Sequence, residues 1–92
     1  MDLKAEWGAG IRARIERKKR YPAGTVATGV VKLRLTVGVD GRVRALSILQ
    51  PSGDAALDAA AVRAVQAAGR FAKAPKGVVS AESFTFNMRF ER

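Results

Sequence analysis

From position 83 to position 90 the chain alternates without a break: Ser83, Phe84, Thr85, Phe86, Asn87, Met88, Arg89, Phe90. A strict period of two puts Phe84, Phe86, Met88 and Phe90 on one face of a β-strand and the four polar residues on the other. Three of the chain's four phenylalanines lie in this stretch. One face therefore demands a core, and the rest of the chain has to supply one.

Upstream, the pattern predicts a helix, a hairpin and a second helix. Leu3, Trp7, Ile11 and Ile15 recur every four residues and stack on one helical stripe, with Asp2 as the N-cap. Gly8 and Gly10 each weaken this helix by roughly 1 kcal/mol relative to alanine. Pro22 biases Tyr21 towards an extended conformation, which ends the helix near Arg20. Over positions 30–39, Val31, Leu33, Leu35, Val37 and Val39 share one face of a strand, opposite Val30, Lys32, Arg34 and Thr36. Asp40-Gly41 supplies the positive-φ conformations of a tight hairpin turn, and positions 43–49 return as a second strand. There Leu46 and Ile48 alternate with Ala45 and Ser47, while Leu49 falls out of phase, so the inward face is not fixed by pattern. Gln50-Pro51-Ser52-Gly53 ends the strand. Asp54 caps the second helix and Asp58 sits near its positive end; Leu57, Ala61, Val65 and Ala68 form the buried stripe, with Val62 beside it. Gly69 stops the helix, and positions 71–79, with Pro75 and Gly77, form a loop.

The element order is thus α-β-β-α-β. A hairpin makes the first two strands antiparallel, and a helical crossover makes the third strand parallel to the second. The third strand then lies antiparallel beside the first. The expected fold is α+β: a three-stranded antiparallel sheet in order 2-1-3 with both helices packed on one face. Residues 1–92 are read as a single domain, with an N-terminal helix over 1–20 and a helix-and-sheet core over 21–92. The final strand becomes an open edge.

Length and composition limit the chemistry. At 92 residues the chain supports one modest core, burying about 60–65% of its unfolded surface. It has no cysteine and no histidine, which removes disulfides, thiolate chemistry, the neutral-pH general base and the commonest metal ligand. The eight carboxylates fall at helix caps, a turn, helix surfaces and strand ends, and no two are placed to share a site. No glycine pattern cradles phosphate. The reading is therefore not an enzyme, with no cofactor and no metal site. No apolar run approaches the ~20 residues of a membrane span, and the opening Met1-Asp2-Leu3-Lys4 does not read as a signal peptide.

Seventeen Lys and Arg against eight Asp and Glu give a net charge of +9, which favours acidic partners. Single-strand nucleic-acid binders add solvent-facing aromatics for stacking. Here the sheet aromatics share the face the helices cover, leaving Lys32, Arg34 and Arg89 outward alone, so no nucleic acid is expected. The remaining class is peptide recognition by strand addition, in which unpaired N–H and C=O groups of an edge accept an extended segment. The competing structural account is an edge covered by a terminus or by a second copy of the chain, as a homodimer.

The stretches Arg20-Tyr21-Pro22-Ala23, Gly29-Val30-Val31-Lys32-Leu33-Arg34-Leu35-Thr36-Val37, Asp40-Gly41-Arg42-Val43, Ser52-Gly53, Leu57-Asp58-Ala59-Ala60-Ala61, Arg70-Phe71 and Ser83-Phe84-Thr85-Phe86 together resemble the TonB C-terminal domain family. The resemblance implies a periplasmic domain of an energy transducer that is anchored to the inner membrane in the full-length protein. It implies coupling to an ExbB–ExbD complex and to TonB-dependent outer-membrane transporters for siderophores, haem or cobalamin. The family's domain holds the transporter's TonB box as a strand added to its own last strand, which here is Ser83, Phe84, Thr85, Phe86, Asn87, Met88, Arg89 and Phe90. The segment around the Tyr-Pro pair lies near the receptor in the family, making Arg17, Lys18, Lys19, Arg20, Tyr21 and Pro22 the contact candidates. Where many members carry Gln-Pro before that pair, this chain has Arg17-Lys18-Lys19-Arg20, and Ala72 stands where proline usually follows Arg70-Phe71. The alternatives are a TolA-like or other envelope-spanning adaptor, or, more remotely, a basic nucleic-acid-binding domain.

Overall fold

The computed structural model describes residues 2–91. The elements run α1 (Leu3–Lys18), β1 (Gly29–Val37), β2 (Val43–Gln50), α2 (Ala55–Ala68) and β3 (Glu82–Phe90). The strands form one sheet in the order β2-β1-β3, with β1 antiparallel to both neighbours.

Both helices begin as the sequence dictates. Asp2 accepts a hydrogen bond from the Ala5 backbone N–H at 3.1 Å, and Asp54 accepts one from Leu57 at 3.2 Å. Each satisfies a donor that the first helical turn would otherwise leave unpaired. Trp7, Ile11 and Ile15 of α1 are buried, and α2 buries Leu57, Ala60, Ala61, Ala64, Val65 and Ala68. The helices meet each other and lie over β1 and β3, closing on Val31, Leu33, Leu35, Val37, Phe84, Phe86, Met88 and Phe90. Arg14 also donates its Nε–H to the Ala68 carbonyl at 2.8 Å, using a cation of α1 to satisfy the C-terminal end of α2.

Gly8 is more than a weak point in α1. It is buried, and a Cβ there would come within 2.7 Å of Phe84 Cδ1. The missing side chain lets α1 approach β3. Gly10, two residues on, meets nothing within 4 Å and carries only the propensity cost.

Three sequence expectations change in the hairpin. The first strand ends at Val37, and Val39, expected on the inward face, is exposed in the turn. Asp40 has no positive φ; only Gly41 does, at 86°. Gly41 donates its N–H to the Gly38 carbonyl at 2.9 Å, while Gly38 donates to Arg42 at 2.8 Å. That is a three-residue loop closed by a glycine bulge, the next alternative to a two-residue turn. Its cause is tertiary. The loop after α2 pairs with the turn, Phe71 N–H to Gly41 carbonyl and Ala74 N–H to Val39 carbonyl, both at 2.9 Å.

The second strand carries two irregularities. Its pairing with β1 skips Arg44 between Ala45 and Val43, and Leu49 between Gln50 and Ile48. Val43, Leu46 and Ile48 thereby reach the helix side of the sheet, but no helix lies over β2, so Val43 and Ile48 each stay 37% exposed. The helical end of α1 also falls two residues before Arg20, at Lys18, with Lys19 extended.

Candidate functional site

The sheet has two free edges, and they are not equivalent. An edge strand invites pairing with another chain unless something disrupts it. Bulges at Arg44 and Leu49 break up β2. By contrast, β3 pairs with β1 over nine consecutive positions, Val37↔Glu82 through Gly29↔Phe90, with no register shift. It is the uninterrupted edge.

The direction of its peptide groups follows from the hairpin. Gly38 donates across to Arg42, so its N–H points at β2. Peptide groups alternate along a strand, so those of Val37, Leu35, Leu33, Val31 and Gly29 point at β3. Given the unbroken register, Glu82, Phe84, Phe86, Met88 and Phe90 turn their groups to β1. The N–H and C=O groups of Ser83, Thr85, Asn87 and Arg89 then face the open edge. Two contacts agree with this. Thr36 and Ser83 hydroxyls lie 2.7 Å apart, as the closer side chains of a pair without mutual backbone bonds should. The Lys19 ammonium donates to the Arg89 carbonyl at 2.6 Å, reaching it from outside the sheet.

The apolar side chains of β3 fix this edge in place. Phe84 stands edge-on to Trp7, with centroids 5.5 Å apart, and stacks at 6.2 Å with Phe86. Helix α1 runs the same way as β3 and places one lysine at each end of it. Lys4 pairs with Glu82 at 3.4 Å and lies 5.7 Å from the Phe84 ring centroid. Lys19 pairs with Glu16 at 2.9 Å and lies 5.6 Å from the Phe90 ring centroid.

The predicted contact run 17–22 is divided among three places. Lys19 and Tyr21 join Arg89, Phe90 and Glu91 around a depression of about 240 Å³ at the end of the β3 edge. Tyr21 is anchored there by its hydroxyl, which donates to the Ala27 carbonyl at 2.6 Å. Lys18, Arg20 and Pro22 instead line a cleft against Ala60, Arg63, Ala64 and Ala67 of α2. Arg17 lies beside Trp7, Arg14 and the residues 71–72. The only part of the run brought to the open edge is Lys19 with Tyr21. Sequence reasoning named Lys19 only among the receptor-contact candidates and missed its bond to a β3 carbonyl. No local signal foretells a contact 70 positions apart in the chain.

A further apolar groove of about 430 Å³ lies between β2 and α2, lined by Val43, Leu46, Val65 and Gly69 and flanked by Arg42 and Arg70. Among the described residues no His, Cys, Asp and Glu cluster could hold a metal ion, and no helix is long and apolar enough to cross a membrane.

A family model described as TonB C terminal matches residues 4–90. The chain belongs to the TonB C-terminal family. That family is one of non-enzymatic energy-transducer and interaction domains. Two solved structures share the fold. The C-terminal domain of Helicobacter pylori TonB superimposes with a TM-score of 0.79 at 21% identity, covering 95% of this chain and 81% of that one. TolAIII bound to a peptide from the N-terminus of TolB superimposes with a TM-score of 0.66, also at 21% identity, covering 90% of this chain and 73% of that one. No curated relative matches the chain in sequence.

Proposed function

We propose that this TonB C-terminal domain binds an extended segment of an outer-membrane transporter, the TonB box, as a strand added to β3. The observation that carries the reading is the asymmetry of the two edges. Nine regularly paired residues of β3 turn the groups of Ser83, Thr85, Asn87 and Arg89 outward and leave those of Ser83, Thr85 and Asn87 free to pair, while β2 is interrupted twice. Main-chain bonds supply the affinity in such a complex, and side chains at alternate positions supply selectivity. In this reading the domain works in the periplasm, held to the inner membrane by another part of the protein and coupled there to an ExbB–ExbD complex. Force applied along the added strand loads its hydrogen bonds together in shear and reaches the transporter, driving uptake of siderophores, haem or cobalamin. Neither a cofactor nor a metal takes part. Lys18, Arg20 and Pro22, in their cleft against α2, form a second contact area for the receptor.

The likeness to the peptide complex of TolAIII supports a second reading, an envelope-spanning adaptor whose partner is not a transporter. Capture of outer-membrane fractions by the domain separates the two, since the first reading requires transporters among the bound proteins.

The test is a titration of isotopically labelled domain with a transporter-derived TonB-box peptide, followed by amide hydrogen exchange. Binding should protect the amides of Ser83, Thr85 and Asn87 and leave α2 unaffected. Perturbation centred on residues 57–68 instead would rule out strand addition at β3.

A further inference from the structure

The outward groups of β3 are not all free. The Arg89 carbonyl, the last acceptor on the open edge, already receives the Lys19 ammonium at 2.6 Å. The same ammonium is held by Glu16 at 2.9 Å and lies over the Phe90 ring at 5.6 Å. Its side chain is 25% exposed, less than either of its paired counterparts Lys4 at 49% or Arg89 at 71%. At the other end of the strand Lys4 meets only the side chains of Glu82 and Phe84. One end of the edge is plugged at its backbone and the other is not.

We propose that Lys19 is a gate that sets the register of the added strand and opens to a partner carrying a carboxylate at that end. The inference rests on strand addition at β3 and specifies its extent and chemistry. A neutral strand pairs with Ser83, Thr85 and Asn87 and stops, because pairing with Arg89 strands the ammonium without its carbonyl acceptor. A hydrogen bond to a charged group is worth more than one between neutral groups, so a neutral main-chain N–H does not displace it. An aspartate or glutamate flanking the strand changes the balance. Its carboxylate takes the ammonium in the depression lined by Lys19, Tyr21, Arg89, Phe90 and Glu91, and the Arg89 carbonyl and N–H become available for a further pair. Arg89 itself reaches only exposed Glu91, at 3.3 Å, and its guanidinium adds to the pull on an incoming anion. The gate also shortens the edge offered to a second copy of the chain, as charged side chains on edge strands do generally.

The experiment uses three end-blocked peptides built on one alternating Val/Thr strand sequence: neutral, with Asp at the first position, and with Asp at the last. With wild-type domain the neutral peptide should protect the amides of Ser83, Thr85 and Asn87 from exchange and leave Arg89 unprotected. Lys19→Met, which keeps the apolar stem over Phe90, should extend protection to Arg89 and tighten the neutral peptide by about two- to tenfold, the worth of one more main-chain pairing. Only the Asp peptide whose carboxylate falls at the Arg89 end of the added strand should protect Arg89 in the wild type, and it should lose its advantage over the neutral one in Lys19→Met. Lys19→Arg should restore the wild-type register, and thermal unfolding of both variants confirms that the fold is intact. Protection of Arg89 by the neutral peptide in wild-type domain, or equal affinities before and after Lys19→Met, overturns the gate while leaving strand addition standing. Absence of protection anywhere on β3, in either protein, overturns strand addition and the gate together.

Discussion

Gly8 and Gly10 lie only two residues apart in α1, yet the space around them separates their roles. A methyl group at position 8 would sit 2.7 Å from a ring that Trp7 and Phe86 hold on two sides. Gly8→Ala gains about 1 kcal/mol of helix propensity and loses about 1–3 kcal/mol to overpacking, so a net loss is expected. Gly10→Ala meets no neighbour and should stabilise by about 0.5–1 kcal/mol. Urea midpoints moving in opposite directions check the pair. Gly41 combines both constraints: its φ is 86°, and a Cβ would overlap the Phe71 carbonyl oxygen. Gly41→Ala should cost about 2–4 kcal/mol from left-handed backbone strain and backbone overlap together, read from the same unfolding experiment. Asp40 beside it behaves differently. The Arg42 backbone N–H, 3.1 Å from its carboxylate, holds the carboxyl below its ordinary value of 3.8; partial desolvation opposes this, and the Arg44 and Arg42 guanidinium charges reinforce it. A depressed folded-state value means the contribution is complete above pH 3.8 and is lost as pH falls through the folded-state value. Asp40→Asn keeps an acceptor for Arg42 and loses the charge, so its stability deficit at neutral pH should shrink as pH falls below 3.8. A deficit that persists there would assign the effect to geometry rather than charge.

At the scale of elements, the alternation of peptide groups along β3 makes a sharp distinction between adjacent residues. Asn87 turns its N–H to the open edge and Met88 turns its own to β1. Proline removes the donor at either position. Asn87→Pro should therefore leave a folded domain that no longer binds the strand peptide, and Met88→Pro should lose a β1 bond and the fold's stability with it. Circular dichroism and peptide titration of the two variants test the assignment; full peptide affinity in folded Asn87→Pro would refute it. The alternation of β3 was legible in sequence because no bulge interrupts it, and the inward set Phe84, Phe86, Met88 and Phe90 is buried as the pattern requires. Strand β2 was not legible in the same way. Its extra residues Arg44 and Leu49 reset the phase twice, and the exposure of Val43 and Ile48 comes from where the helices lie, which no property of β2 specifies. The hairpin turn misled for a related reason, since Asp40-Gly41 suits a two-residue turn locally and the bonds from Phe71 and Ala74 select the longer one. The edge was foreseeable from topology; its plug by Lys19 was not.

Taken whole, the molecule keeps its open edge and its charge on different atoms. The chain carries +9, and much of it stands on the exposed α1 residues Arg12, Arg17 and Lys18, on Arg20, and on the outer sheet face at Lys32, Arg34 and Arg89. The outward groups of β3 proposed to pair with an incoming strand are neutral amides and carbonyls. Charge of this kind acts over about 8 Å at physiological ionic strength and acts before contact, by steering. Main-chain bonds and the apolar contacts beneath them act after contact, by slowing release. Association with an acidic receptor segment should thus fall tenfold or more as salt rises from low to above-physiological concentration, while the dissociation rate changes little. Stopped-flow measurement of both rates across the salt series decides it. Arg17→Ala combined with Lys18→Ala should flatten the association slope without altering the protected amides of β3. A dissociation rate that climbs steeply with salt would place the charges inside the bound interface and leave the edge with a smaller share of the affinity than its outward main-chain groups imply.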